Sequence, residues 1–124
     1  MAKILVVEDN QDFREILRLQ LRFAGHQVIE ASSGPEAIEK AINENPDLIT
    51  MDFALPGMDG IETTIELKRD PRTAQIPVLG YSASYSEEDR PKAIKAGMAE
   101  FLVKPIPPAV LNESIESLLR SKKN

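Results

Sequence analysis

The sequence predicts an α/β fold, a five-stranded parallel sheet with five helices, in one domain covering residues 1–124. Three observations predict it. Short apolar runs alternate five times with helix-period patterns, the signature of β-α units around a parallel sheet. Turn and cap residues fall between the two kinds of segment. Four of the apolar runs end in acids, a hydroxyl or a lysine: Glu8-Asp9, Asp52, Ser82 and Lys104. In an open parallel sheet the carboxyl ends of the strands share one edge, and ligands bind in the crevice there.

The first strand is Ile4-Leu5-Val6-Val7. Phe13, Leu17, Leu21 and Ala24 mark one face of the helix that follows, with Ile16 broadening it. Gly25 stops that helix as a residue able to take positive φ. Residues 27–31 read as the second strand. Ser33-Gly34-Pro35 opens the second helix, with proline where its missing N–H costs nothing. Ala37, Ile38, Ala41 and Ile42 form its buried face, and Asn45-Pro46 ends it. The third strand covers residues 47–52. Asp59 is placed to cap a third helix carrying Ile61, Ile65 and Leu67, which ends at Asp70-Pro71. Residues 76–81 form the fourth strand. A fourth helix starting at Ser86 would put Pro91 in its interior, whereas a start at Asp89 puts Pro91 in the first turn. The second choice predicts a short or frayed start, with Gly97 as the stop. Residues 101–103 are the fifth strand. Pro105, Pro107 and Pro108 lead into a last helix lined by Leu111, Ile115 and Leu118. Lys122-Lys123 suits a helix C-terminus and reads as solvated charge.

Composition removes several function classes. No cysteine means no disulfide, thiolate nucleophile or zinc-thiolate site. The apolar runs are far too short to span a membrane, and no signal-peptide pattern opens the chain. A cytoplasmic protein is therefore expected. A net charge of −5 argues against direct nucleic-acid binding, which rests on neutralising phosphates. With no tryptophan and few other aromatics, platforms for stacked bases are scarce.

Asp52 is the least ordinary residue, because a lone carboxylate ending an apolar strand is costly to bury without a cation nearby. Glu8 and Asp9 are adjacent acids, and Asp9 could instead cap the next helix, as could Asn10. Beside Asp52 they would repel one another and raise a pKa unless a cation intervened. Hard oxygen ligands without cysteine or a suitable histidine favour Mg2+ or Mn2+. Lys104, ahead of a proline, is a point charge suited to a phosphate oxygen or to Asp52, and taken alone also reads as a surface lysine. Ser82 alone reads as a turn former. Phe101 alone reads as a core aromatic. His26, the only histidine, is expected to be exposed at a helix–strand junction.

Taken together, Glu8-Asp9, Asp52-Phe53-Ala54-Leu55-Pro56-Gly57-Met58-Asp59-Gly60, Ser82-Ala83 and Lys104-Pro105 resemble the receiver domain of two-component response regulators, in its single-domain, CheY-like form. The resemblance covers about residues 2–120. It implies a doubly wound, flavodoxin-like sheet of order 2-1-3-4-5. It implies that Asp52 is the phosphoacceptor for a sensor histidine kinase or histidine phosphotransfer protein. The metal, Mg2+, would be held by Asp9, Asp52 and the backbone carbonyl of Ala54, with Glu8 acting directly or through water. Lys104 and Ser82 would each meet a phosphoryl oxygen, and small Ala83 would leave room. Lys104-Pro105 would be a cis peptide aiming the lysine inward. On phosphorylation Ser82 would move toward the phosphoryl group and Phe101 would turn inward. That would alter a protein-binding face made by the fourth helix, fifth strand and fifth helix. Ala54 and Ser84 occupy positions the family uses to tune acyl-phosphate lifetime. Kinase docking would involve residues 11–13 and 106–108.

The expected protein is a stand-alone receiver with no attached output domain, a monomer for which dimerisation on phosphorylation stays open. It is not an enzyme beyond self-phosphorylation and autodephosphorylation. Its output would be a contact with a downstream protein, or onward transfer of phosphate in a relay. A docking module that keeps the fold without phosphorylation is one alternative. An aspartyl-nucleophile phosphatase of the haloacid-dehalogenase type is another, but Ala54 stands where those enzymes place a second acid. No G-x-G-x-x-G follows the first strand, which removes a dinucleotide site.

Overall fold

Strands with apolar residues on both faces need cover on both sides, and the helices supply it. In a computed structural model describing residues 2–83 and 88–122, ten elements alternate along the chain. They are β1 (Lys3–Val7), α1 (Gln11–Phe23), β2 (Gln27–Ala31), α2 (Gly34–Glu44), β3 (Leu48–Asp52), α3 (Gly60–Arg69), β4 (Val78–Ser82), α4 (Asp89–Ala96), β5 (Glu100–Val103) and α5 (Pro108–Lys122). All strand pairs are parallel, and the order is β2-β1-β3-β4-β5. The central strands β3 and β4 are buried throughout, and the edge strands only in part.

Alternation along each strand divides the core in two. Leu5, Val7, Ile49, Met51 and Val78 face α2, α3 and α4, meeting Ala37, Ala41, Leu67 and Ala93. Ile4, Val6, Leu48, Leu79 and Tyr81 face α1 and α5, meeting Leu17, Leu21, Leu111 and Ile115. Thr50 lies fully buried in β3, and its hydroxyl has no hydrogen-bond partner among the described residues. Replacing it by valine, of similar shape, is expected to raise stability by about 1 kcal/mol, read from the urea midpoint. A lowered midpoint would mean the hydroxyl is satisfied in solution.

The caps explain the boundaries. Asn10 caps α1 by accepting from the Phe13 N–H at 2.9 Å, so Asp9 is not used as the cap. Asp59 and Glu62 form a reciprocal capping box at α3. Gly25 and Gly97 take positive φ at the ends of α1 and α4. Helix α4 begins at Asp89, with Pro91 in its first turn. The alternative start at Ser86 and the tuning position Ser84 lie outside the described residues, as does Lys123.

Some expectations are corrected. Ile16 is half exposed, because Leu17 and Leu21 take the centre of the buried face of α1. Ala24 is also exposed, being the C-cap where the chain turns toward β2. On α3 the buried residues besides Gly60 are Thr63, Thr64 and Leu67, whereas Ile61 and Ile65 are only partly covered. The threonine hydroxyls donate to the Asp59 and Gly60 carbonyls, each at 2.7 Å, which makes their burial affordable. Strands β3 and β4 begin at Leu48 and Val78, one and two residues later than expected from the apolar runs.

His26 is buried, not exposed. Its Nδ1 accepts the Ala2 N–H at 3.1 Å, and its Nε2 lies 3.9 Å from a Glu116 carboxylate oxygen. Burial lowers its pKa, Glu116 opposes that shift, and the chain's amino terminus adds to it. The ring therefore joins the start of β1 to the start of β2 and to α5.

Candidate functional site

The order of the strands decides where polar groups meet. From β1 the chain goes outward to β2 and then back past β1 to β3, so a crevice opens between the carboxyl ends of β1 and β3. Val7 pairs with Met51, which brings Glu8 and Asp52, the next residue on each strand, to the same level. Asp52 pairs with Tyr81, and Ser82 with Val103, so Ser82 and Lys104 reach this edge as well. The Lys104 N–H donates to the Ser82 carbonyl at 2.7 Å, and the Lys104–Pro105 peptide is cis.

Glu8 and Asp52 are both buried here, while Asp9 is exposed. The Lys104 ammonium lies 3.0 Å from a Glu8 carboxylate oxygen and 3.7 Å from one of Asp52. Glu8 is thus its closer anion, a pairing not foreseen in the sequence. The Glu8 carboxylate also accepts the Asn10 N–H at 2.9 Å, and Asp52 accepts the Ala54 N–H at 3.1 Å.

The two acids divide their proton unequally. Burial, together with the neighbouring Glu8, pushes the Asp52 carboxyl up to about 7. Burial acts the same way on Glu8, but the Asn10 N–H, the Asp52 carboxyl and Lys104 together hold its pKa below the ordinary value. One lysine cannot compensate two buried carboxylates, so Asp52 is the one left wanting a cation.

That shortfall bears on whether a divalent cation fits. Glu8, Asp9 and Asp52 each offer an oxygen within 4.8 Å of the others, all hard donors. The donor set suits Mg2+ or Mn2+ and not zinc. Ala54, exposed just beyond Asp52, donates its N–H to that carboxylate.

Ser82 is buried as the last residue of β4, and Ala83 is exposed beside it. Phe101 is already fully buried, with its ring edge-on to Phe53 at 5.5 Å and Arg90 5.8 Å above it. Gly80 leaves the space this ring and Met98 occupy, since a Cβ there would come within 3.3 Å of the ring.

Three residues of the site escape sequence reasoning. The Lys104 ammonium lies 4.0 Å from the Phe13 ring centroid and 5.1 Å from that of Tyr81. The Tyr81 hydroxyl donates to the Val7 carbonyl at 3.2 Å, immediately before Glu8. Arg14 donates to the Glu8 carbonyl at 2.8 Å and to Glu30 at 3.1 Å, which fixes the turn carrying the acids. Phe13 reads in the sequence as one more apolar position of α1. Its sequence signals are its place on the inner face, one turn after the acids, and its inclusion in the 11–13 stretch that the resemblance gives to kinase docking.

Residues 4–116 match the response regulator receiver domain. The chain is 36% identical over 118 residues to the alkaline phosphatase synthesis transcriptional regulatory protein PhoP of Bacillus subtilis, covering 95% of this chain and 48% of that protein. It thus spans about half the length of that relative. It is 33% identical over 119 residues to protein PilH of Pseudomonas aeruginosa, covering 96% of this chain and 98% of that one. Among solved structures, it resembles the receiver domain of the sensor histidine kinase PA1611 from P. aeruginosa, described with a magnesium ion coordinated in its active-site cleft. There the TM-score is 0.89 at 30% identity, covering 95% of this chain and 97% of that one.

Proposed function

The chain belongs to the response regulator receiver family, and from that membership we propose that it accepts a phosphoryl group on Asp52 in a Mg2+-dependent reaction. The donor is the phosphohistidine of a sensor histidine kinase or of a histidine phosphotransfer protein. The observation that carries this reading is the meeting of Asp52, Glu8 and Lys104 on one sheet edge, where Asp52 is buried with its charge incompletely balanced.

A carboxylate oxygen of Asp52 forms the new bond to phosphorus as the P–N bond of the donor breaks, and the imidazole leaves with the bonding pair. The product is an acyl phosphate. Such transfers depend on positioning and on neutralising charge on the transferring oxygens. Lys104 neutralises one oxygen and the Ser82 hydroxyl donates to another. Asp9, Asp52, Glu8 and the Ala54 carbonyl would hold Mg2+, whose positive charge supplies further neutralisation when it is bound. The Glu8 carbonyl, tied to Arg14, keeps the acidic turn in place.

The output is a shift in the face made by α4, β5 and α5, where Ile94 and Val110 are exposed and available to a downstream protein. Ser82 and Phe101, both buried, are the residues that would carry that shift. Among the described residues no helix is long and apolar enough to cross a membrane.

Intact mass after incubation with a small phosphodonor tests the reading. One Mg2+-dependent phosphoryl adduct is expected, absent from Asp52→Asn. No adduct under conditions that label a control receiver would favour a docking module that works without phosphorylation.

A further inference from the structure

We propose that Phe13 is a positioning residue: with Tyr81 it forms an aromatic seat that fixes the Lys104 ammonium between Glu8 and Asp52. The inference rests on the role given to Lys104 above and adds residues to it.

A lysine ammonium ends a flexible four-carbon stem and has no preferred direction of its own. Lys104 stands on the loop beyond β5, where two carboxylates at 3.0 Å and 3.7 Å compete for it. Anions alone would hold it at the cost of neutralising the acids the site needs. Aromatic faces attract a cation through their quadrupole and neutralise nothing. Phe13 at 4.0 Å and Tyr81 at 5.1 Å supply two such faces.

Both rings are held from outside the site. The Phe13 N–H is the one capped by Asn10, so its backbone is set by the start of α1. Tyr81 is anchored at its hydroxyl by the Val7 carbonyl. The rings pack 5.6 Å apart, tilted by 51°, and brace each other. The seat is therefore a rigid floor assembled from α1 and β4, beneath a side chain that arrives from β5. A leucine at position 13 would keep the apolar contact and remove the π face, while a tyrosine would keep both.

NMR of the Lys104 side chain, assigned with Lys104→Arg, reads the seat directly. The ε-methylene protons are expected to be shifted upfield by the Phe13 ring, the shift being largely lost in Phe13→Leu and kept in Phe13→Tyr. The rate of phosphoryl uptake from a small donor, which needs no kinase docking on α1, is expected to fall about fivefold in Phe13→Leu at saturating donor. Phe13→Tyr should stay near wild type, with urea midpoints confirming that both variants are folded. An unchanged Lys104 shift in Phe13→Leu, or equal slowing in both variants, overturns the proposal. If the wild-type protein takes up no phosphate, the proposed function falls, and the Lys104 shift still decides the seat.

Discussion

Replacing Asp52 by asparagine is expected to stabilise the protein by about 4 kcal/mol at pH 8 when divalent cations are absent. Asp52 is only 5% exposed, and burial with Glu8 alongside raises its carboxyl from 3.8 to about 7. A group whose pKa is higher in the folded state favours folding when protonated. Its contribution is complete below the unfolded value near 3.8 and is lost as pH rises through about 7. At pH 8 the folded protein carries the full cost of the buried charge, whereas asparagine carries none. The advantage of the variant should shrink steadily between pH 8 and pH 4. Lys104 is not stranded by the substitution, because Glu8 remains its partner at 3.0 Å. Urea midpoints across this range in the presence of chelator measure the effect. Saturating Mg2+ should narrow the gap by stabilising the wild type. A gap independent of pH would show that the carboxyl is ionised without penalty, and the electrostatic account of Asp52 would be wrong.

The parts of this molecule that were legible in its sequence are those governed by local chemistry. β1 declares itself by an unbroken apolar run and β3 by one interrupted only at Thr50 before Asp52, and Asp59 with Glu62 declares the start of α3. Gly25 and Gly97 were readable as stops because left-handed backbone favours glycine. The acids, Ser82 and Lys104 were readable as one site because a parallel sheet brings its strand ends together. What was not legible depends on partners distant in the chain. His26 looks like a junction residue until Ala2 and Glu116 close over it. Lys104 was matched with Asp52 by charge alone, while the geometry gives Glu8 the shorter contact. Thr63 and Thr64 are buried through bonds to their own helix, so their polarity misleads any reading by hydrophobic period. Phe101 reads as a core aromatic and is one, but its choice of Phe53 as partner is a matter of shape that no motif encodes.

Gly60→Ala is expected to cost about 3 kcal/mol, even though alanine is the better helix former. Gly60 is the first residue of α3, and its N–H donates to the Phe53 carbonyl at 3.0 Å. A Cβ there would sit 2.2 Å from the Asp52 carbonyl oxygen and 2.9 Å from the Phe53 Cα. Both are backbone atoms at the end of β3, so no rotamer change relieves the clash. Either α3 withdraws and loses its bond to Phe53, or the end of β3 bends and moves the Asp52 carboxylate. The loss should therefore appear twice, as a lowered urea midpoint and as slower phosphoryl uptake by the molecules that remain folded. Gly80→Ala supplies the contrast. Its Cβ would come within 2.3 Å of the Met98 sulfur, the far end of a flexible side chain that can turn aside. A smaller loss is expected there, with the Phe101 ring at 3.3 Å limiting the accommodation. If Gly60→Ala proved the milder of the two, α3 would be free to slide on the sheet. Asp52 would then owe its position to β3 alone.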